Sequence, residues 1–318
     1  MIVDAHTHFW FKGFMPTAFH RNTAEEWAKK EAGRKPEMIL PKIEEGVTDP
    51  DGADYIANMD KAGVDASIIM MTDFGTYWTG EEPAVPYAEQ VVLFGEFQKK
   101  YKGRLYVCAY MDPRRPDCAQ IMKMAIKECG LKGCGEFTTK NMLVSSDEAK
   151  PLLRACADLD IPVVIHTRAG EGINMTGADF TIPNHNHPGH IAKLLKDYKG
   201  LKVVIAHAGY PKWWEAAIQV AKGHPNCYLE LSNWNFGAVN MDDFVPILAC
   251  MRDNLGADHI LFASDHPSGK RYRSLAFLPG WVSYFKELPE KAKSLGYEFT
   301  AAEVDLILGE NAKKLFKL

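Results

Sequence analysis

No run of apolar residues in this sequence reaches the roughly 18 positions that a membrane-spanning helix requires. Blocks of basic residues are absent too, and the formal net charge is −4, which leaves no electrostatic footprint for nucleic acid or for an anionic membrane surface. The first apolar stretch begins at residue 2, so no charged segment and apolar core of a cleaved export signal precede it. The expectation is a cytoplasmic protein. Cysteine pairing motifs are also missing: the seven cysteines (108, 118, 129, 134, 156, 227 and 250) are odd in number and never spaced as CxxC. That argues against a disulfide framework and a zinc–cysteine site, and leaves each thiol as a small buried apolar group. Neither low-complexity tracts nor internal repeats occur.

What is present is a globular composition, 47% hydrophobic and 25% charged over 318 residues, long enough for a sizeable core. Eight short apolar or β-branched runs read as strands: "IVDAHTH", "ASIIMM" (66–71), "RLYVCAY" (104–110), "LKGCGEF" (131–137), "PVVIHT" (162–167), "KVVIAH" (202–207), "CYLELS" (227–232) and "ILFASD" (260–265). Amphipathic stretches between them predict helices at about 52–63, 86–101, 115–129, 147–159, 188–198, 211–222, 241–254 and 300–317. Near-continuous apolar strands alternating with helices mean a parallel sheet. Eight such units predict an α/β fold, a (β/α)8 TIM barrel, as one domain over residues 1–318. Two surplus segments, about 10–50 and 266–299, are expected to be ordered loops after strands 1 and 8.

Active sites of such barrels lie at the C-terminal strand ends. Those ends carry His6 and His8 on strand 1, Glu136 on strand 4, His166 on strand 5, His207 on strand 6 and Asp265 on strand 8. Alternation puts His6 and His8 on one face and pairs Cys134 with Glu136, Val164 with His166, Ile205 with His207 and Ala263 with Asp265. Four imidazoles and two carboxylates at one mouth are costly to desolvate unless something compensates them, and a divalent metal does so. Mixed nitrogen and carboxylate donors suit Zn2+ best and also accept Mn2+, Co2+ or Fe2+. Arg168, two residues beyond His166, faces the same mouth, where its fork serves either a substrate carboxylate or a structural salt bridge. Trp10, Phe11 and Phe14 are candidates for the pocket entrance. Trp213 and Trp214 offer either an aromatic wall or a contact in a homodimer. His185, His187 and His190 read as solvated or helix-capping, His266 as pointing away from Asp265, and Lys132 as lying near the barrel bottom.

Together these motifs resemble the amidohydrolase superfamily: HxH after strand 1, single histidines after strands 5 and 6, "SD" after strand 8, and a closing "ILGENAKKLF" similar to the terminal helix of the amidohydrolase 2 branch. The segment "HNHPGHIAKLLKDYKGLKVVIAHAGY" is similar to that branch's connection between strands 5 and 6. The branch includes aminocarboxymuconate-semialdehyde decarboxylase and aromatic-acid decarboxylases alongside hydrolases. The resemblance implies that His6, His8 and Asp265 hold the more buried metal and that His166 binds an adjacent or shared position. It also implies that His207 either binds a second metal or acts as an acid/base, and that Asp265 shuttles a proton. One position departs from the common pattern. Many binuclear members carry a carboxylated lysine at the end of strand 4, where this chain has Glu136. A glutamate bridges two metals unmodified in TatD-like nucleases, whose "GE" and "HSR" segments are similar to "GEF" and "HTR" here.

The preferred expectation is a metal-dependent hydrolase acting on a C–N or C–O bond of a small, carboxylated substrate through metal-activated water. The alternative is a lyase, decarboxylating or hydrating an unsaturated or aromatic acid. A TatD-like nuclease ranks below both because the surface is net acidic, and a non-catalytic metal-binding protein below them because the ligand set is open.

Overall fold

The computed structural model describes residues 1–30, 33–47, 49–169, 181–236, 241–267 and 274–318. The predicted strands form with boundaries trimmed by a residue or two: β1 (Val3–His8), β2 (Ala66–Met70), β3 (Leu105–Ala109), β4 (Gly133–Phe137), β5 (Val163–Ile165), β6 (Val203–Ile205) and β7 (Cys227–Glu230). The eighth appears as two short pieces, β8 (Ile260–Leu261) and β9 (His266–Pro267). All pairings are parallel, in the order β8-β7-β6-β5-β4-β3-β2-β1-β9, so the split last strand touches both edges and closes the sheet into a TIM-type barrel. Between its pieces, Ala5 N donates to Phe262 O at 3.0 Å and Asp265 N to His6 O at 2.9 Å.

The barrel interior is plugged by small and branched side chains, among them Val3, Ala5, Ile68, Val164, Val204 and Ala263, all essentially inaccessible to solvent. Gly135 belongs to this plug by subtraction. A Cβ there would stand 2.7 Å from Val164 Cβ, so only glycine lets β4 and β5 approach this closely. The surrounding helices bury a second, larger layer against the outer faces of the strands. Helices occur at every predicted position, including Ala53–Ala62, Tyr87–Lys100, Lys150–Asp158 and Met241–Leu255.

The segment after β1, expected as a loop, folds into two helices, Thr17–Lys30 and Pro36–Val47, with their own small core of Ala24, Ile39 and Ile43. The segment after β9 likewise carries helices Ser274–Lys286 and Leu288–Ser294, and positions 268–273 of that predicted loop lie outside the described residues. The predicted terminal helix divides into Ala301–Asp305, a π-helical turn Leu306–Glu310 and Asn311–Phe316. It opens with a capping box in which Thr300 and Glu303 satisfy each other's backbone N–H. The wide turn frees the Ile307 carbonyl to accept from Phe262 N at 2.8 Å, tying the helix to the eighth strand. Among the described residues, no helix is long and apolar enough to cross a membrane.

Candidate metal centre

All six side chains singled out by their strand-end positions converge at the C-terminal mouth, but four of them do so by breaking strand alternation. Val3 and Ala5 point into the barrel, which by strict period two would send His6 and His8 outward. Pairing with β2 slips by one residue between Asp4 and Thr7, and this bulge turns both imidazoles inward. Pairing of β4 with β5 shifts between Cys134 and Phe137, so Cys134 packs in the outer layer while Glu136 enters the mouth. Ile205 also packs outside, whereas His207, in the left-handed region at φ 59°, turns in. The expected face-sharing of Cys134 with Glu136 and of Ile205 with His207 is therefore corrected. For Val164 with His166 and Ala263 with Asp265 alternation holds, and Asp265 closes its strand at φ 56°.

The donors form two groups hinged on Glu136. His6 Nε2 lies 3.3 Å from His8 Nε2, 3.7 Å from Glu136 Oε2 and 3.9 Å from Asp265 Oδ1. His8 Nε2 lies 3.5 Å from Glu136 Oε2 and 3.1 Å from Asp265 Oδ1. Ligands at ordinary zinc distances on a tetrahedral ion stand about 3.3–3.6 Å apart, so His6, His8 and Asp265 together approximate the footprint of one ion, with Glu136 Oε2 beside the two imidazoles. On the other side, Glu136 Oε1 bonds His166 Nδ1 closely and lies 3.1 Å from His207 Nε2. The three-residue sets able to surround a cation are His6/His8/Asp265, His6/His207/Glu230 and Glu136/His166/His207.

Electrostatics agree with a cation. Burial opposes the charged forms of Glu136 and Glu230, but the histidines around them outweigh it and hold both carboxyls below the usual range. Conversely, burial pushes the His8 imidazolium down, yet its hydrogen bonds to the Asp265 and Glu136 carboxylates outweigh that and raise its pKa to about 8. His6 is likewise held well above the ordinary imidazole range, where Glu136 and Glu230 overcome burial. His207, by contrast, is lowered by burial. The mouth thus carries a negative potential that collects protons when metal-free. A divalent ion supplies the same compensation while holding the imidazoles neutral, so the cluster is able to bind one.

Strand-end reasoning missed Glu230, although it closes β7 and obeys the same rule. It is fully buried, accepts from Ser232 N and lies 2.8 Å from His6 Nδ1, the carboxylate–histidine arrangement that orients metal ligands. Also missed were Asn233, whose Nδ2 reaches Asp265 Oδ2 at 3.1 Å, and the lock of Asp4 on Ser264, whose N and Oγ donate to its carboxylate at 2.9 and 2.5 Å. No sequence motif marks these; they become visible only when strands 1, 7 and 8 are neighbours.

The remaining candidates divide. Trp10 stacks on His8, with ring centroids 5.3 Å apart and planes 7° from parallel. Phe11 and Phe14 instead pack with Phe94 away from the mouth, correcting their placement at the entrance. Arg168 is half-buried over the Tyr210 ring, and no carboxylate among the described residues pairs with it. His187 accepts from Gly189 N, the expected capping role, whereas His185 is buried. Trp213 lies beside His187, Trp214 packs on the core, Lys132 reaches the Lys317 carbonyl at the barrel bottom, and all seven cysteines are free. Side-chain exposure ranks the mouth: Asp265 at 22% and His166 at 19% are open, while His207 at 1% is sealed.

The sequence profile of the Amidohydro_2 family, described as amidohydrolase, matches residues 3–318, and the chain belongs to that family. None of the curated proteins compared with it matches. Among solved structures it is similar to 5-carboxyvanillate decarboxylase from Sphingomonas paucimobilis, with TM-score 0.71 and 15% identity over 100% of this chain and 99% of that one. It is similar to 5-carboxyvanillate decarboxylase from Novosphingobium aromaticivorans, solved with manganese and 4-hydroxy-3-methoxy-5-nitrobenzoic acid (TM-score 0.69, 18% identity, 100% and 96% covered). A dihydroxybenzoic acid decarboxylase from Polaromonas sp. JS666, solved with manganese and 2-nitroresorcinol, is also similar (TM-score 0.63, 18% identity, 100% and 97% covered). At these identities the likeness is one of fold.

Proposed function

We propose that this protein is a metal-dependent decarboxylase of an aromatic carboxylic acid, the lyase alternative rather than the hydrolase. The observation that carries the reading is the end-to-end similarity to named aromatic-acid decarboxylases, two of them solved with manganese and a substituted ring. His6, His8 and Asp265, with one oxygen of Glu136 beside them, would hold a single divalent ion, and this mixture of imidazoles and carboxylates suits manganese as well as zinc. When bound, the ion supplies positive charge that draws anionic substrate oxygens to the mouth. Arg168 binds a carboxylate with its fork, since nothing among the described residues neutralises it. Trp10, stacked on His8, offers a flat face for an aromatic ring. Decarboxylation replaces the carboxylate by a proton on the same ring carbon and releases carbon dioxide. Asp265, a resting carboxylate and the most exposed acid of the cluster, would take a proton from solvent at the open mouth and pass it to that carbon, returning to the carboxylate.

The test is a panel of hydroxylated benzoates and methoxylated dicarboxylates with manganese-loaded protein, read as carbon dioxide release and, in heavy water, one deuterium at the vacated carbon. Hydrolysis of lactones or amides without carbon dioxide would overturn the reading. One observation favours that hydrolytic alternative: the two oxygens of Glu136 face different histidine pairs, as a bridge between two ions requires. Two ions per loaded chain would support it.

A further inference from the structure

We infer that Asn233 is a positioning residue that sets the tautomer of His207 and thereby makes His207 an N–H donor to Glu136 rather than a metal ligand. The inference rests on the one-ion reading of the cluster and excludes the Glu136-bridged ion pair of the hydrolytic alternative. Asn233 follows β7, is buried, and sits at φ 70°, a left-handed conformation that asparagine tolerates better than most residues. Its Nδ2 lies 3.1 Å from Asp265 Oδ2 and 2.7 Å from His207 Nδ1. Asp265 as a metal ligand is deprotonated and accepts only, which fixes the amide with its NH2 toward both neighbours. An NH2 group only donates, so His207 Nδ1 must present its lone pair. The Ser232 hydroxyl, 2.6 Å away, turns to donate to the same nitrogen.

The ring proton of His207 is therefore on Nε2, which lies 3.0 Å from His166 Nδ1 and 3.1 Å from Glu136 Oε1; since His166 Nδ1 itself bonds Oε1, the carboxylate oxygen is the acceptor. That nitrogen donates and has no lone pair for a cation. His166 Nδ1 bonds the same Oε1, so this oxygen is occupied by ring nitrogens and Oε2 alone remains for the ion beside His6 and His8. A single asparagine thus propagates, through one imidazole, the choice of which glutamate oxygen meets the metal. No sequence motif announces it, because Asn233, His207 and Glu136 stand on three different strand ends.

The experiment is nitrogen NMR on histidine-labelled protein, metal-free and after loading with Zn2+, with His207 assigned by its absence from His207→Gln. The expected result in both wild-type samples is an unprotonated Nδ1 and a protonated Nε2. Asn233→Asp, whose carboxylate only accepts, is expected to reverse the pattern, moving the Nδ1 resonance into the protonated range. Asn233→Gly, which keeps the left-handed backbone without the amide, is expected to give a mixture. A protonated Nδ1 in the wild type, a switch to protonated Nδ1 on zinc loading, or an unchanged pattern in folded Asn233→Asp would each overturn the inference. The wild-type spectra decide it even where a variant fails to fold.

Discussion

The floor of the barrel and its mouth are built from the same eight strands yet follow opposite rules. In the floor, alternation is regular and every inward position is apolar and packed: Val3, Ile68, Val164, Val204. A few ångströms further along, β1 bulges, β4 slips register, and His207, Asn233 and Asp265 adopt left-handed backbone. Regular strands can present only every second residue, and the spacing of inward positions is set by the sheet. Bringing four imidazoles and three carboxylates within reach of each other requires local departures. Those departures persist only where neighbouring structure over-determines them. Here Asp4 on Ser264 and Glu230 on His6 do so. The floor stabilises; the mouth spends backbone regularity on chemistry.

Substitutions in the two regions should separate these roles. The largest contrast is between His6→Ala and Ile68→Ala. The histidine variant is expected to lose bound metal and activity altogether while unfolding cooperatively as the metal-free wild type does. The isoleucine variant, opening a cavity in the fully buried floor, should lose about 2–5 kcal/mol of stability yet keep wild-type metal content. Metal analysis paired with urea denaturation checks both, and a swap of the two phenotypes would erase the distinction between regions.

A smaller effect is expected at Glu230→Gln, which leaves every direct donor in place but exchanges the carboxylate behind His6 for an amide. Metal affinity should fall about 10–100-fold, as read by competition with a chelator. Unchanged affinity would make Glu230 part of the floor rather than of the mouth.

The smallest effect is expected below the floor, at Asp160, where Lys202 and Lys317 lie 2.5 and 2.8 Å from its two oxygens. Those hydrogen bonds lower its pKa to about 2, so the pair contributes stability above the ordinary carboxylate pKa near 3.8 and loses it as pH falls through about 2. Asp160→Asn keeps a residue suited to its left-handed φ of 52° and should cost less than about 1 kcal/mol at neutral pH and low salt, and progressively less as pH falls through and below about 2. Equal stability curves for both proteins across the whole range would remove the pair from the account.

Much of this was legible before folding. Eight apolar runs alternating with amphipathic ones specify a parallel sheet because burial on both faces demands continuous hydrophobicity. Polar residues closing those runs stand out because nothing apolar explains them: His6, His8, Glu136, His166, His207 and Asp265 were all found that way, and all meet at one mouth. The sequence by itself therefore determined the architecture and the chemical character of the site, since these follow from composition and period along one chain, while its strand-end motifs carried the resemblance to the family. Only the tertiary structure decided which face each ligand takes. It overrode alternation at Glu136 and His207, recruited Glu230 behind His6, and set Asn233 between Asp265 and His207. Bulge, register and tautomer depend on hydrogen bonds between residues as far apart as Asp4 and Ser264. A linear pattern holds no record of distances across a closed barrel.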